Sequence, residues 1–177
     1  MLKCIAIVVA ALIFPLLSGC VHKYAVPVPQ SGANLIPKNS IVYVATPPNG
    51  RDDRPRTYEY SGGWTSSAMV QALSNRGIRA VVGAPAKSPS GALGAARVAK
   101  AQYMVFPGIV HWSDRATEWS GMPDRITLRV ILTEVRSGEV LDNREIRASS
   151  RWATFGGDHP QELLPILSEQ WAASICQ

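Results

Sequence analysis

Two histidines and three carboxylates lie close together in the second half of the chain: His111, Asp114 and Glu118, then Asp158 and His159. A carboxylate beside an imidazole is the pairing used in general acid–base catalysis and, with a third ligand, in divalent metal sites. The sequence contains no His-x-His, His-Glu-x-x-His, Cys-x-x-Cys or Gly-x-Ser-x-Gly spacing, so no established nucleophile or metal cage accompanies them. Each residue also has a structural duty available. Asp158 stands three residues before Gln161, as in a capping box; Arg115, Arg125 and Arg151 are near enough in sequence to pair with Asp114 and Glu118; and His111 falls at the end of an apolar run. An envelope hydrolase or metal-dependent enzyme using His111, Asp114 and His159 is therefore the alternative reading, and the sequence calls for neither cofactor nor metal. Ser61-Gly62-Gly63 before a helical segment resembles an anion cradle, but without the lysine of a phosphate-binding loop it reads as simple capping.

The same stretches are aromatic. Residues 111–121 and 150–160 hold three of the five tryptophans and two of the three histidines. Loops of this composition are costly to expose unless they pack together or meet a partner. The candidate partner-binding residues are Trp112, Asp114, Arg115, Glu118, Trp119, Trp152, Phe155, Asp158 and His159. A partner-binding edge requires Trp119 and Trp152 to be partly exposed and near each other; loops that merely pack on themselves would bury both.

Cys20 is reactive for a different reason. Met1-Leu2-Lys3 is a short basic start, residues 5–17 are apolar but for Pro15, and Leu17-Ser18-Gly19-Cys20 closes the segment. The apolar run is well short of the roughly 20 residues a membrane-spanning helix needs, so it reads as a cleaved signal. Sixteen of the first twenty residues are hydrophobic, and the mean hydropathy of +0.03 averages this segment with a more polar domain. The chain divides into a signal peptide over 1–19, a lipidated cysteine and flexible tether over 20–38, and one globular domain over 39–177. Of the three cysteines, Cys4 leaves with the signal, Cys20 carries the anchor and Cys176 remains as a thiol.

The elements that must position the loops follow from periodicity. Ile41–Ala45 and 78–82 are short β-branched strands. Ser61 starts a helix with Thr65, Ala68, Met69, Ala72 and Leu73 on one face, stopped at Gly77. An Ala-rich helix from Ser88 or Ser90 leads to a third strand over 103–110, where Pro107 implies an edge or bulge. Ile126, Leu128, Val130 and Leu132 alternate with polar residues in a half-buried strand; Arg136-Ser137-Gly138 turns it back; and Leu163, Leu164, Leu167 and Trp171 mark a last helix, with Pro165 at a kink or in its first turn. The fold class is α/β: a single mixed sheet of about five strands with helices packed on it, in the order β-α-β-α-β-β-β-α. With the first three strands parallel and the next two alternating, residues 46–61, 112–124 and 150–159 emerge at one edge, the carboxyl edge where open α/β sheets bind ligands.

Three resemblances add to this. Residues 17–20 match the lipobox of bacterial lipoproteins, which implies a tri-acylated Cys20 bearing fatty acyl chains such as palmitate; two or more chains hold a protein on a bilayer effectively permanently. Val21 in place of the aspartate of inner-membrane lipoproteins implies the outer membrane; it does not distinguish the two faces of that membrane, and the periplasmic side is the default expectation for the domain. The stretches 114–121, Pro123-Asp124-Arg125 and 152–160, with Leu35-Ile36-Pro37, resemble an uncharacterised bacterial lipoprotein family, domain of unknown function 4823, which implies an address and a fold but no reaction. More distantly, residues 95–110 are similar to TolB amino-terminal and curli-secretion lipoprotein domains and to lipoprotein activators of peptidoglycan synthases, which are binding or assembly modules.

The formal charge of +5 is polarised: residues 21–100 carry ten basic and three acidic side chains, and 101–177 carry seven and ten. A cytosolic protein of this kind would suggest nucleic acid, but an exported lipoprotein has no access to it. The expectation is a non-catalytic outer-membrane lipoprotein, attached through the acyl chains on Cys20, whose periplasmic domain binds an envelope protein or glycan through the tryptophan-bearing loops.

Overall fold

The computed structural model describes residues 21–53, 56–115, 122–151 and 159–176. In chain order the elements are β1 (Lys23–Ala25), β2 (Ile41–Thr46), α1 (Ser61–Ser74), β3 (Arg79–Pro85), α2 (Pro89–Val98), β4 (Tyr103–Ser113), β5 (Arg125–Glu134), β6 (Val140–Ser149), a 3-10 turn (Pro160–Leu163) and α3 (Leu164–Ile175). The strands form a six-stranded sheet ordered β1-β6-β5-β4-β2-β3. β2 is parallel to β3 and β4, whereas β5 is antiparallel to β4 and β6, and β1 is antiparallel to β6. This is the expected mixed α/β sheet with one additional strand.

That strand comes from the stretch read as a tether. Lys23–Ala25 pairs with Arg147–Ser149, and Ile36 is fully buried, with its N–H donating to the carbonyl of Ile175 at 3.1 Å. Three residues are too few for alternation to register in the sequence, and Pro27 and Pro29 mask the rest. The buried pair Arg144 and Asp142, 2.8 Å apart, fastens this segment further: Arg144 donates to the carbonyl of Pro27 and, at 2.6 Å, to Ser174 Oγ. Burial pushes the Asp142 carboxyl above its usual range and the Arg144 guanidinium below its own, the expected cost of desolvating both partners.

Strand alternation divides the core between the two faces of the sheet. Val42 and Val44 join Val105, Leu128, Val130, Leu132 and Ile146 under α1 and α3, which contribute Met69, Leu73, Leu167 and Trp171. Tyr43 and Ala45 face the other way, with Met104 and Phe106, beneath α2. Ala92 and Ala96 let that helix lie close to the sheet, while Val98 at its end is exposed.

The helix and turn signals are seated as follows. Ser88 caps α2, accepting from the Gly91 N–H at 3.3 Å. Gly77 and Gly138 adopt φ of +75° and +79° behind α1 and in the hairpin, and Pro165 lies in the first turn of α3. Ser61 does not cap α1. The cap is Tyr60, with φ +66°, while the buried Ser61 Oγ accepts from the Gly50 N–H at 2.8 Å and donates to the Tyr58 carbonyl at 2.7 Å. β4 is interior, but its ladder with β2 ends at Val105, below Pro107, and its bulge falls between Ile109 and His111.

Candidate functional site

The registers set Ser113, Arg125, Ser149 and Lys23 in one row across four strands. β2 stops well short of that row: β4 continues from Val105 to Ser113 without it, a rise of about 26 Å at roughly 3.3 Å per residue. The chain after β2 climbs alongside in its place. The Trp112 N–H donates to the Arg51 carbonyl at 3.1 Å, and the Tyr58 N–H to the Gly50 carbonyl at 3.0 Å.

Two glycines make this approach possible. A Cβ on Gly50 would lie 2.7 Å from Trp112 Cβ, and one on Gly62 would lie 2.2 Å from the Pro47 carbonyl oxygen. Both distances are below any real carbon contact.

The Trp112 side chain is 1% exposed. It therefore leaves the set of partner-binding candidates and becomes the plug beneath the loops. Trp64 packs on it with ring centroids 6.4 Å apart, and Tyr60 packs on Trp64 at 6.2 Å. Neither Tyr60 nor Trp64 was singled out from the sequence. Their four-residue spacing at the start of α1 is the signal that could have found them. The left-handed backbone of Tyr60 costs about 1–2 kcal/mol for a residue with a side chain, and such strain commonly marks a functional segment.

Above this aromatic stack, polar side chains tie the loops to one another. The Tyr58 hydroxyl donates to Asp52 Oδ2 at 2.9 Å and accepts the Asp114 N–H at 3.2 Å. The Arg115 N–H donates to Asp124 Oδ1 at 2.5 Å, the Asp124 N–H donates to Ser150 Oγ at 2.9 Å, and the Ser150 N–H returns to the Asp124 carbonyl at 3.0 Å. Asp124 and Ser150 are buried. Burial raises the Tyr58 phenol above its ordinary pKa, so it stays a neutral donor and acceptor, the opposite of an activated nucleophile.

The acid–base candidates are only partly assembled. His159 Nδ1 lies 3.5 Å from Asp114 Oδ2, with side chains 57% and 37% exposed. His111 Nδ1 faces Asp53 instead, at 4.0 Å, as does Arg115 Nη2. Among the described residues, no three His, Cys, Asp or Glu side chains converge as a metal cage would require. Glu118, Trp119, Trp152, Phe155 and Asp158 lie outside the described residues, as does Cys20. At the opposite edge of the sheet, a cavity of about 790 Å³ is lined by Lys38, Arg97, Tyr103, Glu134 and Arg136 among others, none of them a candidate drawn from the sequence.

The fold has known counterparts. The PelC dodecamer from Paraburkholderia phytofirmans is similar to this chain at a TM-score of 0.62 and 15% identity, over 89% of this chain and 99% of that one. The hypothetical protein CT253 from Chlamydia trachomatis is similar at 0.53 and 11% identity, over 78% and 98%. The LpoB carboxyl-terminal domain from Escherichia coli is similar more loosely, at 0.42 and 18% identity, over 65% and 86%. Comparison with curated protein sequences finds none that matches. The family profile described as domain of unknown function 4823 matches residues 34–175, the resemblance read from the loop residues, and the chain belongs to that family.

Proposed function

We propose that this chain is an outer-membrane lipoprotein, anchored by acyl chains on Cys20, whose periplasmic domain is a non-catalytic binding or assembly module. The observation that carries the reading is how the polar side chains at the carboxyl edge are used. Tyr58, Asp124 and Ser150 bond to backbone and neighbouring side chains and hold the loops to one another. That builds a braced face, with Asp114, Arg115 and His159 at its surface. Glu118, Trp119, Trp152, Phe155 and Asp158 belong to the same loops by sequence and complete the proposed docking face for an envelope component. No helix among the described residues is long and apolar enough to cross a membrane, which is compatible with a lipid anchor.

Two measurements test this. Cys20→Ser should move the protein from the membrane fraction to the soluble pool and remove the acyl mass; unchanged fractionation and mass overturn the anchor. Crosslinking in intact cells from residues 114, 115 and 159 should capture an envelope protein or glycan. PelC is described as a dodecamer, so a product containing only this chain would assign the face to self-assembly instead.

A further inference from the structure

Where the chain meets the sheet determines which end of the domain faces its anchor. Lys23 pairs with Ser149, and Ser149 with Arg125, so the amino-terminal segment joins the sheet in the row that carries the loops. Between Cys20 and Lys23 there are three peptide steps, a reach of no more than about 11 Å at roughly 3.6 Å each. The sequence alone allowed a long tether that could hold the domain in any orientation. Folding of β1, and fastening of Pro27 by Arg144, remove that freedom.

We infer that the carboxyl edge is the membrane-facing end of the domain and docks on the phospholipid headgroup layer that receives the acyl chains. This orientation rests on the acylation of Cys20 proposed above, and it sets the envelope protein or glycan that residues 114, 115 and 159 would meet at the bilayer surface.

The surface of that edge fits the assignment. Among the described residues, the exposed tyrosine and tryptophan side chains are Tyr60 at 73% and Trp64 at 41%, and both stand here, Trp64 against Trp112 just below the row and Tyr60 against Trp64. Tyrosine and tryptophan prefer the headgroup level, where an apolar ring and a polar tip are both satisfied. Met122 and Val21, also exposed, lie within three residues of Arg125 and Lys23 in sequence and add apolar area, and the exposed Lys23 and Arg125 in the row offer cations to phosphate oxygens. The nearby Asp52 and Asp53 face Tyr58, His111 and Arg115, which lessens their repulsion of an anionic surface. The hairpin at residues 136–138 lies at the far end of β5 and β6, about 30 Å away at roughly 3.3 Å per residue.

The test uses the full chain, processed in cells and purified in its acylated form, in vesicles of phosphatidylethanolamine and phosphatidylglycerol. Spin labels are attached at Tyr60→Cys and, separately, at Ser137→Cys; Cys176 is buried and stays unlabelled. The label at 60 should be relaxed several-fold more by lipid-dissolved oxygen than by an aqueous nickel chelate, and the label at 137 should show the reverse. Equal aqueous exposure at both positions, or lipid contact at 137, overturns the orientation. Occlusion of position 60 from both reagents means that a second copy covers the edge and overturns the lipid assignment. Intact mass separates failure of the foundation: a protein without acyl mass defeats the lipoprotein reading, whereas an acylated protein with the wrong end on the bilayer defeats the orientation alone.

Discussion

The two edges of this sheet are built by different means. At the amino edge, Ser40, Gln102 and Val135 are joined mostly by backbone bonds: Arg79 N–H to Ser40, Gln102 N–H to Ile41, and Val135 N–H to Gln102. The turns there are short, with Gly77 and Gly138 at positive φ. At the carboxyl edge the connections are long, and backbone bonds alone do not hold them. Side chains supply the missing ties, namely Tyr58, Ser61, Asp124 and Ser150 above a buried Trp112. The contrast shows where the fold gives polar groups to shaping a surface, and so where a functional face is worth seeking.

The difference should be most easily broken at Trp112. Trp112→Ala removes the plug beneath the loops and should cost about 3–5 kcal/mol, the range for a large aromatic truncated in a core. Amide exchange should accelerate first in residues 47–60 and 111–115, with the amino-edge turns following only at global unfolding; uniform acceleration at both edges would erase the distinction. A comparable loss, about 3–5 kcal/mol in denaturant unfolding, is expected for Arg144→Met, which leaves the Asp142 carboxylate buried without its partner. That variant should also release β1, seen as faster exchange at residues 23–25. Retained protection there would mean that the amino-terminal segment is held by its strand pairing alone.

The sequence was most legible where one period governed a whole element. The alternation of Ile126, Leu128, Val130 and Leu132 and the small face of the Ala-rich helix led directly to β5 and α2, because side-chain period and burial coincide there. β1 was hidden because three residues carry no period and because its partner, residues 147–149, lies more than a hundred positions away. Ser61 looked like a cap because the local pattern fits one, but its hydroxyl is drawn to Gly50 across the loop. At the candidate site, the convergence of loops followed from strand directions alone. The roles did not: Trp112 faces inward while Trp64 and Tyr60 reach the surface, and the buried position of Asp124 depends on contacts with Ser150 and Arg115 that no local pattern encodes.

A smaller effect sharpens the comparison at the braces. Asp124→Ala removes the acceptor of the Arg115 N–H and should cost about 1–3 kcal/mol, the range for a buried hydrogen-bonding group left without its partner. Thermal unfolding measures the loss, and exchange at residue 115 locates it. At the amino edge the corresponding probe is pH. Burial raises the Cys176 thiol to about 11. The folded state therefore holds this proton more tightly than the unfolded chain, whose thiol titrates near 8.5; the stability it contributes is fully present below about 8.5 and is lost as pH rises toward about 11. Cys176→Ala should flatten that part of the stability profile, and the wild-type thiol should react with an aromatic disulfide reagent at pH 8 only on unfolding.

The smallest effect expected is also the one that separates a binding face from a catalytic one. His159 and Asp114 stand 3.5 Å apart with both side chains substantially in solvent, so water competes with their interaction in either charge state. His159→Ala and Asp114→Asn should each lower stability by less than about 1 kcal/mol, and their double-mutant coupling should be equally small, as for exposed ion pairs. An acid–base site requires the opposite: a dry pair whose coupling rises well above that range, because removing either partner strands the other in a low-dielectric enclosure. Coupling of about 2 kcal/mol or more would mean that the loops close over His159 and Asp114 in solution. The carboxyl edge would then be a covered cleft, and the enzyme reading would displace the docking face.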